Sequence, residues 1–79
     1  MARVLMLGRL RDLAGWREQA VAADSLSALS GILAANDAAL GAALAGKGVQ
    51  VALNKTVVRG DHPLSANDEV AYLPPMSGG

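Results

Sequence analysis

The last two residues of the sequence, Gly78 and Gly79, have the types and the position to take part in chemistry. Glycine has no Cβ, so a Gly-Gly end can thread a channel that is too narrow for any other residue. A free α-carboxylate on Gly79 would thereby reach a buried site in another protein. Such a carboxylate, with a pKa of about 3.5, is ionised at pH 7 and is a poor electrophile until it receives a good leaving group. The two glycines therefore predict a carboxylate that a partner enzyme modifies.

The four residues before this pair predict how the carboxylate is presented. Pro74 and Pro75 lack a backbone donor and hold φ near −65°, so they end a strand and direct the chain away from the body as a stiff segment. We expect residues 74–79, which include Met76 and Ser77, to form an extended tail on a single domain that spans residues 1–79. The alternative is a frayed terminus that has no function.

One internal segment imitates a nucleotide-binding loop. Residues 41–47 fit the pattern G-x-x-x-x-G-K, but Gly48 stands where a Ser or Thr hydroxyl would hold magnesium. The surrounding pattern is also reversed, because a helix is expected before this segment and a strand after it. We interpret the segment as the end of a helix and predict no nucleotide-binding site.

The sequence offers few side chains for catalysis or metal binding. His62 is the only histidine and there is no cysteine, so a metal site would depend on nearby carboxylates alone. No Ser, His and Asp set and no carboxylate pair has persuasive spacing. We predict no metal site and no catalysis by this chain on its own, which leaves it the role of a substrate or co-substrate.

Charge and composition exclude further classes. Seven basic and seven acidic side chains give a net charge of zero, which argues against a nucleic-acid binder held by phosphate contacts. No apolar run approaches the roughly 20 residues of a membrane span, and no cleavable leader precedes the first predicted strand. The absence of cysteine permits a reducing compartment. We expect a soluble, cytoplasmic protein.

Hydrophobic periodicity and turn residues predict an α+β fold. The first apolar run, residues 2–7, indicates a strand covered on part of both faces and therefore central in its sheet. The helix between the second and third strands must bury its apolar stripe on one face of a small mixed sheet of about five strands. Trp16 is expected to cover the aliphatic core. The predicted elements are strand 2–7, a loop with up to one helical turn at 9–15, a weaker strand 16–22 antiparallel to the first, the main helix 26–36, a short helix 38–45, a hairpin from 49–53 and 56–58, and the last strand 68–73.

Three segments together resemble a known family. These are residues 4–15 (V-L-M-L-G-R-L-R-D-L-A-G), residues 52–55 (A-L-N-K) and residues 61–79, which contain D-H-P-L, a D-E-V strand and the ending P-P-x-x-G-G. They are similar to the small subunits of molybdopterin synthase, which are ubiquitin-like β-grasp sulfur carriers. That family usually has phenylalanines where Met6, Leu7, Tyr72 and Leu73 stand here, and a glycine where Asn67 stands. These departures affect packing and the partner surface but leave the tail unchanged.

The resemblance implies a function in molybdenum cofactor biosynthesis. An activating adenylyltransferase would use ATP to form an acyl-adenylate on Gly79, and a sulfur donor protein would convert it to a thiocarboxylate. The tail would then enter the large subunit, in an expected heterotetramer, and pass the sulfur to a cyclic pyranopterin monophosphate precursor. No cofactor would be bound permanently. The residues expected to carry these steps are Gly78 and Gly79, with Tyr72, Leu73, Pro74, Pro75, Met76 and Ser77 as contacts for the partners.

Two other interpretations stay open at this point. A sulfur carrier of the thiamin pathway would share the fold and the Gly-Gly end, although it typically lacks the D-H-P-L and Pro-Pro patterns. A ubiquitin-like conjugation or interaction module would instead form isopeptide-linked adducts or carry an inert tail.

Overall fold

The computed structural model describes residues 1–75, which form five strands and three helices. Met76, Ser77, Gly78 and Gly79 lie outside the described residues, so the predicted tail is described only as far as Pro75. The elements are β1 (Ala2–Met6), α1 (Arg9–Ala14), β2 (Glu18–Val21), α2 (Leu26–Asn36), α3 (Ala38–Leu44), β3 (Gln50–Leu53), β4 (Thr56–Val58) and β5 (Glu69–Leu73).

The five strands form one mixed sheet in the order β2-β1-β5-β3-β4. β1 runs parallel to β5, and the other neighbouring pairs are antiparallel. β5 is therefore the central strand, and β1 lies beside it with a neighbour on each side. The predicted antiparallel pairing of the first two strands is confirmed.

One face of the sheet packs against α2 and α3 and contains the core. Successive side chains of a strand point to opposite faces, so Ala2, Val4 and Met6 face the helices while Arg3 and Leu5 face away. The opposite face is open, and Arg3 is exposed there. The expectation that β1 is covered on part of both faces is met, since Leu5 is partly buried on the open face, but the coverage there is slight. The buried core consists of Ala2, Val4, Met6, Leu10, Leu26, Leu29, Leu33, Leu40, Val70 and Tyr72, with Trp16 and Leu64 among the residues packed against it.

Side-chain caps begin the two longer helices, α2 and α3. The Ser25 hydroxyl accepts a hydrogen bond from the Ala28 N–H at 3.0 Å, and the Asp37 carboxylate accepts one from the Leu40 N–H at 3.1 Å. Asp37 ends α2 and begins α3, so this one residue sets the corner between the two helices.

The two helices approach closely at Gly41, the first glycine of the segment that imitates a nucleotide-binding loop. A Cβ placed on Gly41 would lie 2.5 Å from the Cβ and 2.7 Å from the Cα of Ala34. Gly41 therefore allows α3 to pack closely against α2. The other two fixed positions of the nucleotide-loop pattern, Gly46 and Lys47, follow the end of α3. The interpretation of this segment as a helix end is confirmed for Gly46.

A pair of glycine-to-alanine variants tests the close approach. Gly41→Ala is expected to lower the melting temperature by at least about 4 °C, because overpacking against a backbone atom costs about 1–3 kcal/mol. Gly31→Ala is the control, since no atom lies within 4 Å of its added Cβ. It should raise the melting temperature through the helix propensity of alanine, worth roughly 0.5–1 kcal/mol. Equal stability of the two variants, measured by thermal denaturation, would contradict the packing role of Gly41.

A polar network joins the β3–β4 turn to the start of β5. The turn residues Asn54 and Lys55 have φ of 50° and 73°, as expected for a two-residue hairpin loop. The Asn54 side chain donates to the Asp68 carboxylate at 3.1 Å and accepts from the Glu69 N–H at 2.9 Å. Asp68 also accepts from the Ser65 N–H at 2.7 Å. Asn67 has a φ of 72°, a left-handed conformation that asparagine tolerates.

The hydrogen bonds to Asp68 predict a pH dependence of stability. The Ser65 N–H, and then the Asn54 amide, hold the pKa of Asp68 below its ordinary value. A pKa that is lower in the native than in the unfolded state stabilises the protein at neutral pH, and this contribution is lost as the pH falls below about 4. We expect Asp68→Asn to lower the free energy of unfolding at pH 7 and to weaken its fall between pH 5 and pH 3 relative to wild type. Urea denaturation across that range measures both, and a wild-type slope in Asp68→Asn would contradict the role.

Candidate functional site

The described part of the candidate site begins where the central strand β5 ends. β5 pairs with β1 on one side and β3 on the other, so Tyr72 lies opposite Met6 and Val51. The Leu7 N–H also donates to the Tyr72 carbonyl at 3.2 Å. The segment Pro74-Pro75, called the neck below, thus leaves a strand that is held on both sides. A firmly held strand end gives the tail a fixed origin on the body.

A groove of about 590 Å³ runs beside the neck. Its walls come from α1, from the end of α3 and the loop after it, and from the neck itself. The lining is mainly apolar, with Arg9, Asp12 and Lys47 as its charged members. Leu13, on its α1 side, is 46% exposed. The remaining lining residues are Leu10, Ala43, Gly46, Val49, Pro74 and Pro75.

The open face of the sheet carries an apolar surface that ends at the neck. Strand alternation and the pairing registers place one residue of β4, one of β3, two of β5 and one of β1 side by side. Val57 is 51% exposed, whereas the two alanines of this surface, Ala52 and Ala71, are nearly buried. We call this set the open-face patch; it consists of Leu5, Ala52, Val57, Ala71 and Leu73.

Charged residues lie at one end of the open-face patch. The Arg3 guanidinium contacts the Glu69 carboxylate at 2.6 Å and the Glu18 carboxylate at 3.8 Å. The Arg3 and Glu18 side chains are about half exposed, so the 3.8 Å pair contributes little to stability, whereas the Glu69 carboxylate of the 2.6 Å pair is mostly covered. They give the patch a polar rim of two carboxylates and one guanidinium, which is an arrangement typical of a protein interface.

Tyr72 is not part of this surface. Its neighbours in β5, Ala71 and Leu73, point to the open face, so Tyr72 points under the helices and is 2% exposed. Its hydroxyl lies 3.2 Å from the Ser30 hydroxyl of α2. Burial raises the pKa of Tyr72, and the hydrogen bond with Ser30 partly opposes that shift. The position of Tyr72 contradicts the expectation that its side chain contacts a partner. Of the two neighbours Tyr72 and Leu73, the alternation of β5 places only Leu73 on the open face.

The other predicted site residues are distributed as follows. Leu73 and Pro74 are partly buried and Pro75 is exposed. The His62 ring nitrogen Nε2 lies 3.1 Å from the Arg59 carbonyl oxygen, in the loop before Pro63. Within residues 1–75, His, Cys, Asp and Glu side chains form no group of three that could hold a metal ion. None of the helices in that range is long and apolar enough to cross a bilayer.

Sequence reasoning missed the contributions of β3 and β4 to the open-face patch. Val57 belongs to a run of β-branched residues and Ala52 is small, so neither residue indicates a contact surface by its type. The alternation of Val51, Ala52 and Leu53 offered a weak signal, but assigning each face required the pairing with β5. Sequence reasoning also missed that the neck packs against two glycines that are distant in the chain.

Comparisons with known proteins extend over nearly the whole chain. The profile of the ThiS family matches residues 4–79. The molybdopterin synthase sulfur carrier subunit of Escherichia coli (strain K12) is 40% identical over 81 residues, which cover 100% of each chain.

Solved structures agree in fold. The solution structure of small archaeal modifier protein 1 from Methanosarcina acetivorans superposes with a TM-score of 0.86 at 22% identity, over 99% of this chain and 95% of that one. The crystal structure of CysO, an antigen of Mycobacterium tuberculosis, gives a TM-score of 0.82 at 21% identity, over 96% and 100%. At these identities the likeness supports the fold alone.

Proposed function

The chain belongs to the ThiS family and has the ubiquitin-like β-grasp fold, and from that premise we propose that it is the sulfur carrier subunit of a molybdopterin synthase. The observation that carries the proposal is the full-length match to a relative of that name. The chain itself is not an enzyme in this proposal. It supplies a sulfur atom on Gly79 to a reaction that occurs in the active site of a large subunit.

The proposed chemistry begins with the Gly79 carboxylate. An activating adenylyltransferase joins it to the α-phosphate of ATP and releases pyrophosphate, which turns the carboxylate into an acyl-adenylate. A sulfide equivalent from a sulfur donor protein then attacks the acyl carbon and AMP leaves, so the product is a thiocarboxylate. ATP is bound by the activating enzyme and not by this chain. The thiocarboxylate sulfur finally bonds to a carbon of a cyclic pyranopterin monophosphate precursor and displaces an oxygen there, and water cleaves the resulting thioester, which returns the Gly79 carboxylate.

The described surfaces support a carrier that visits several partners. The open-face patch offers a docking surface, because Val57 is exposed, Leu5 and Leu73 are partly exposed, and charged residues lie at one end. It ends at Leu73, directly before the neck. A partner that covers the patch would therefore receive the tail at a constant distance from the docked surface. We propose a cytoplasmic location and a heterotetramer with the large subunit.

Intact mass spectrometry of the whole chain tests the proposal. After incubation with ATP, the activating enzyme and a sulfur source, the mass should rise by about 16 Da, because one oxygen atom is replaced by sulfur. Purified large subunit and precursor should then return the mass to its starting value. An unchanged mass in the first step would overturn the proposal.

Two further outcomes identify the alternative functions. Attachment of a whole protein through an isopeptide bond would indicate a conjugation module. Discharge of the thiocarboxylate to a thiazole synthase, but not to the pterin-binding large subunit, would indicate a carrier of the thiamin pathway. Either result would replace the molybdopterin synthase proposal.

A further inference from the structure

Two glycines from different parts of the chain lie against the neck. Gly8 is in the turn between β1 and α1, and Gly48 is in the loop between α3 and β3. A Cβ on Gly8 would lie 3.0 Å from Cγ of Pro74. A Cβ on Gly48 would lie 2.8 Å from Cβ and 3.6 Å from Cα of Pro75. Each proline of the neck therefore touches a position where a larger residue would displace it.

The close packing is not a general property of the glycines in this chain. Gly8 and Gly48 have φ of 55° and 86°, and Gly15 and Gly60 have φ of 82° and 76°. All four backbones favour glycine by conformation. A Cβ on Gly15 or Gly60, however, would meet no atom within 4 Å. The positive φ alone thus explains why glycine occupies positions 15 and 60. Gly8 and Gly48 have a positive φ and also leave space for the neck.

We propose that Gly8 and Gly48 are positioning residues, which form a seat that sets the direction in which the chain leaves the body after Pro75. This inference rests on the proposed function, since direction matters only for a tail that must enter a partner. The two contacts lie on successive residues of the neck and come from different loops. Together they restrict rotation of the neck about the end of β5.

Simple geometry shows why the direction would matter. Four residues follow Pro75, and their maximum reach is about 14 Å at ~3.5 Å per residue. A change of about 20° at the root would displace the far end of a segment of that length by about 5 Å. If only about a tenth of the molecules then point the tail toward the partner's site, the apparent affinity for that partner falls by about ten-fold. A body that fixes the exit direction therefore increases the fraction of docked molecules whose carboxylate reaches the partner's site.

The test compares Gly48→Ala with Gly60→Ala. Both variants place alanine at a strongly positive φ, so both should lose similar thermal stability. Only Gly48→Ala pushes against Pro75. We expect Gly60→Ala to accept and discharge sulfur at the wild-type rate. Gly48→Ala should need roughly ten-fold more partner for half-maximal rate in both steps, with its maximal rate changed less.

Two further measurements keep the test decisive. Nuclear Overhauser contacts between the Gly48 α-protons and the Pro75 side chain should be present in wild type and in Gly60→Ala, and altered in Gly48→Ala. A Pro75→Gly background lacks the Cβ with which the added methyl group would collide. In that background Gly48→Ala should have little additional effect on the rates. If Gly48→Ala fails to fold, Gly8→Ala is the second variant, because its collision involves the more yielding Cγ of Pro74.

The outcomes separate the seat from the proposed function. Equal partner dependence of Gly48→Ala and Gly60→Ala would overturn the seat while the wild-type chain still carries sulfur. If the wild-type chain accepts no sulfur, the proposed function fails, and absence of the Gly48–Pro75 proton contacts would then overturn the seat independently.

Discussion

Deletion of Gly79 is expected to abolish sulfur transfer and to leave the fold intact. The deletion moves the carboxylate back by about 3.5 Å, which is more than the tolerance of a reacting group held in an active site. All the core residues found lie within residues 1–75, so the melting temperature should change by less than about 2 °C. Intact mass after the loading reaction measures the chemistry, and thermal denaturation measures the fold.

A second variant tests whether the width of the tail matters in addition to its length. Gly78→Val keeps the position of the carboxylate along the chain but adds a branched side chain beside it, so we expect the same loss of transfer. Gly31→Ala is the control, because it also adds a Cβ to a glycine but lies in α2, outside the proposed site. Transfer at the wild-type rate by the deletion variant, or a melting temperature lowered by many degrees, would contradict the assignment of Gly79.

Leu73→Asp is expected to weaken assembly with the large subunit by at least about thirty-fold. Covering the exposed part of Leu73 contributes about 1 kcal/mol to binding, and the hydration that a carboxylate in its place would lose on docking costs at least about 1 kcal/mol more. Leu73 is partly exposed at the end of the open-face patch, so the fold should tolerate the change better than it would tolerate a polar residue in the core. Isothermal titration calorimetry with the purified large subunit measures the affinity.

The matched control for Leu73→Asp is Ala35→Asp. Ala35 is exposed on α2, in the helical layer on the opposite side of the sheet, and the change introduces the same carboxylate. We expect Ala35→Asp to bind with wild-type affinity. Equal affinity of Leu73→Asp and wild type would remove the open-face patch from the proposed interface, and equal weakening by both variants would attribute the loss to net charge.

Local sequence signals predicted most of the elements correctly. Ser25 and Asp37 carry their cap in their own side chains, and Asn54 and Asn67 tolerate a positive φ because of their residue type. Each of these features depends on residues within a few positions of one another. The sequence was therefore sufficient for them, and the same holds for the neck, because two successive prolines lack the N–H groups that a sheet ladder needs.

The sequence by itself determined the chemistry expected of the tail, since Pro-Pro and Gly-Gly act through their own backbone properties. Only the tertiary structure decided which residues surround the neck and which side chains of β5 face outward. The pairing of β5 with β1 and β3 placed Tyr72 in the core and Leu73 on the open face, because a shift of one residue in a strand exchanges its two faces. It also brought Gly8 and Gly48 against the neck. Contacts between residues so distant in the chain depend on how the sheet and helices pack, and no local pattern encodes them.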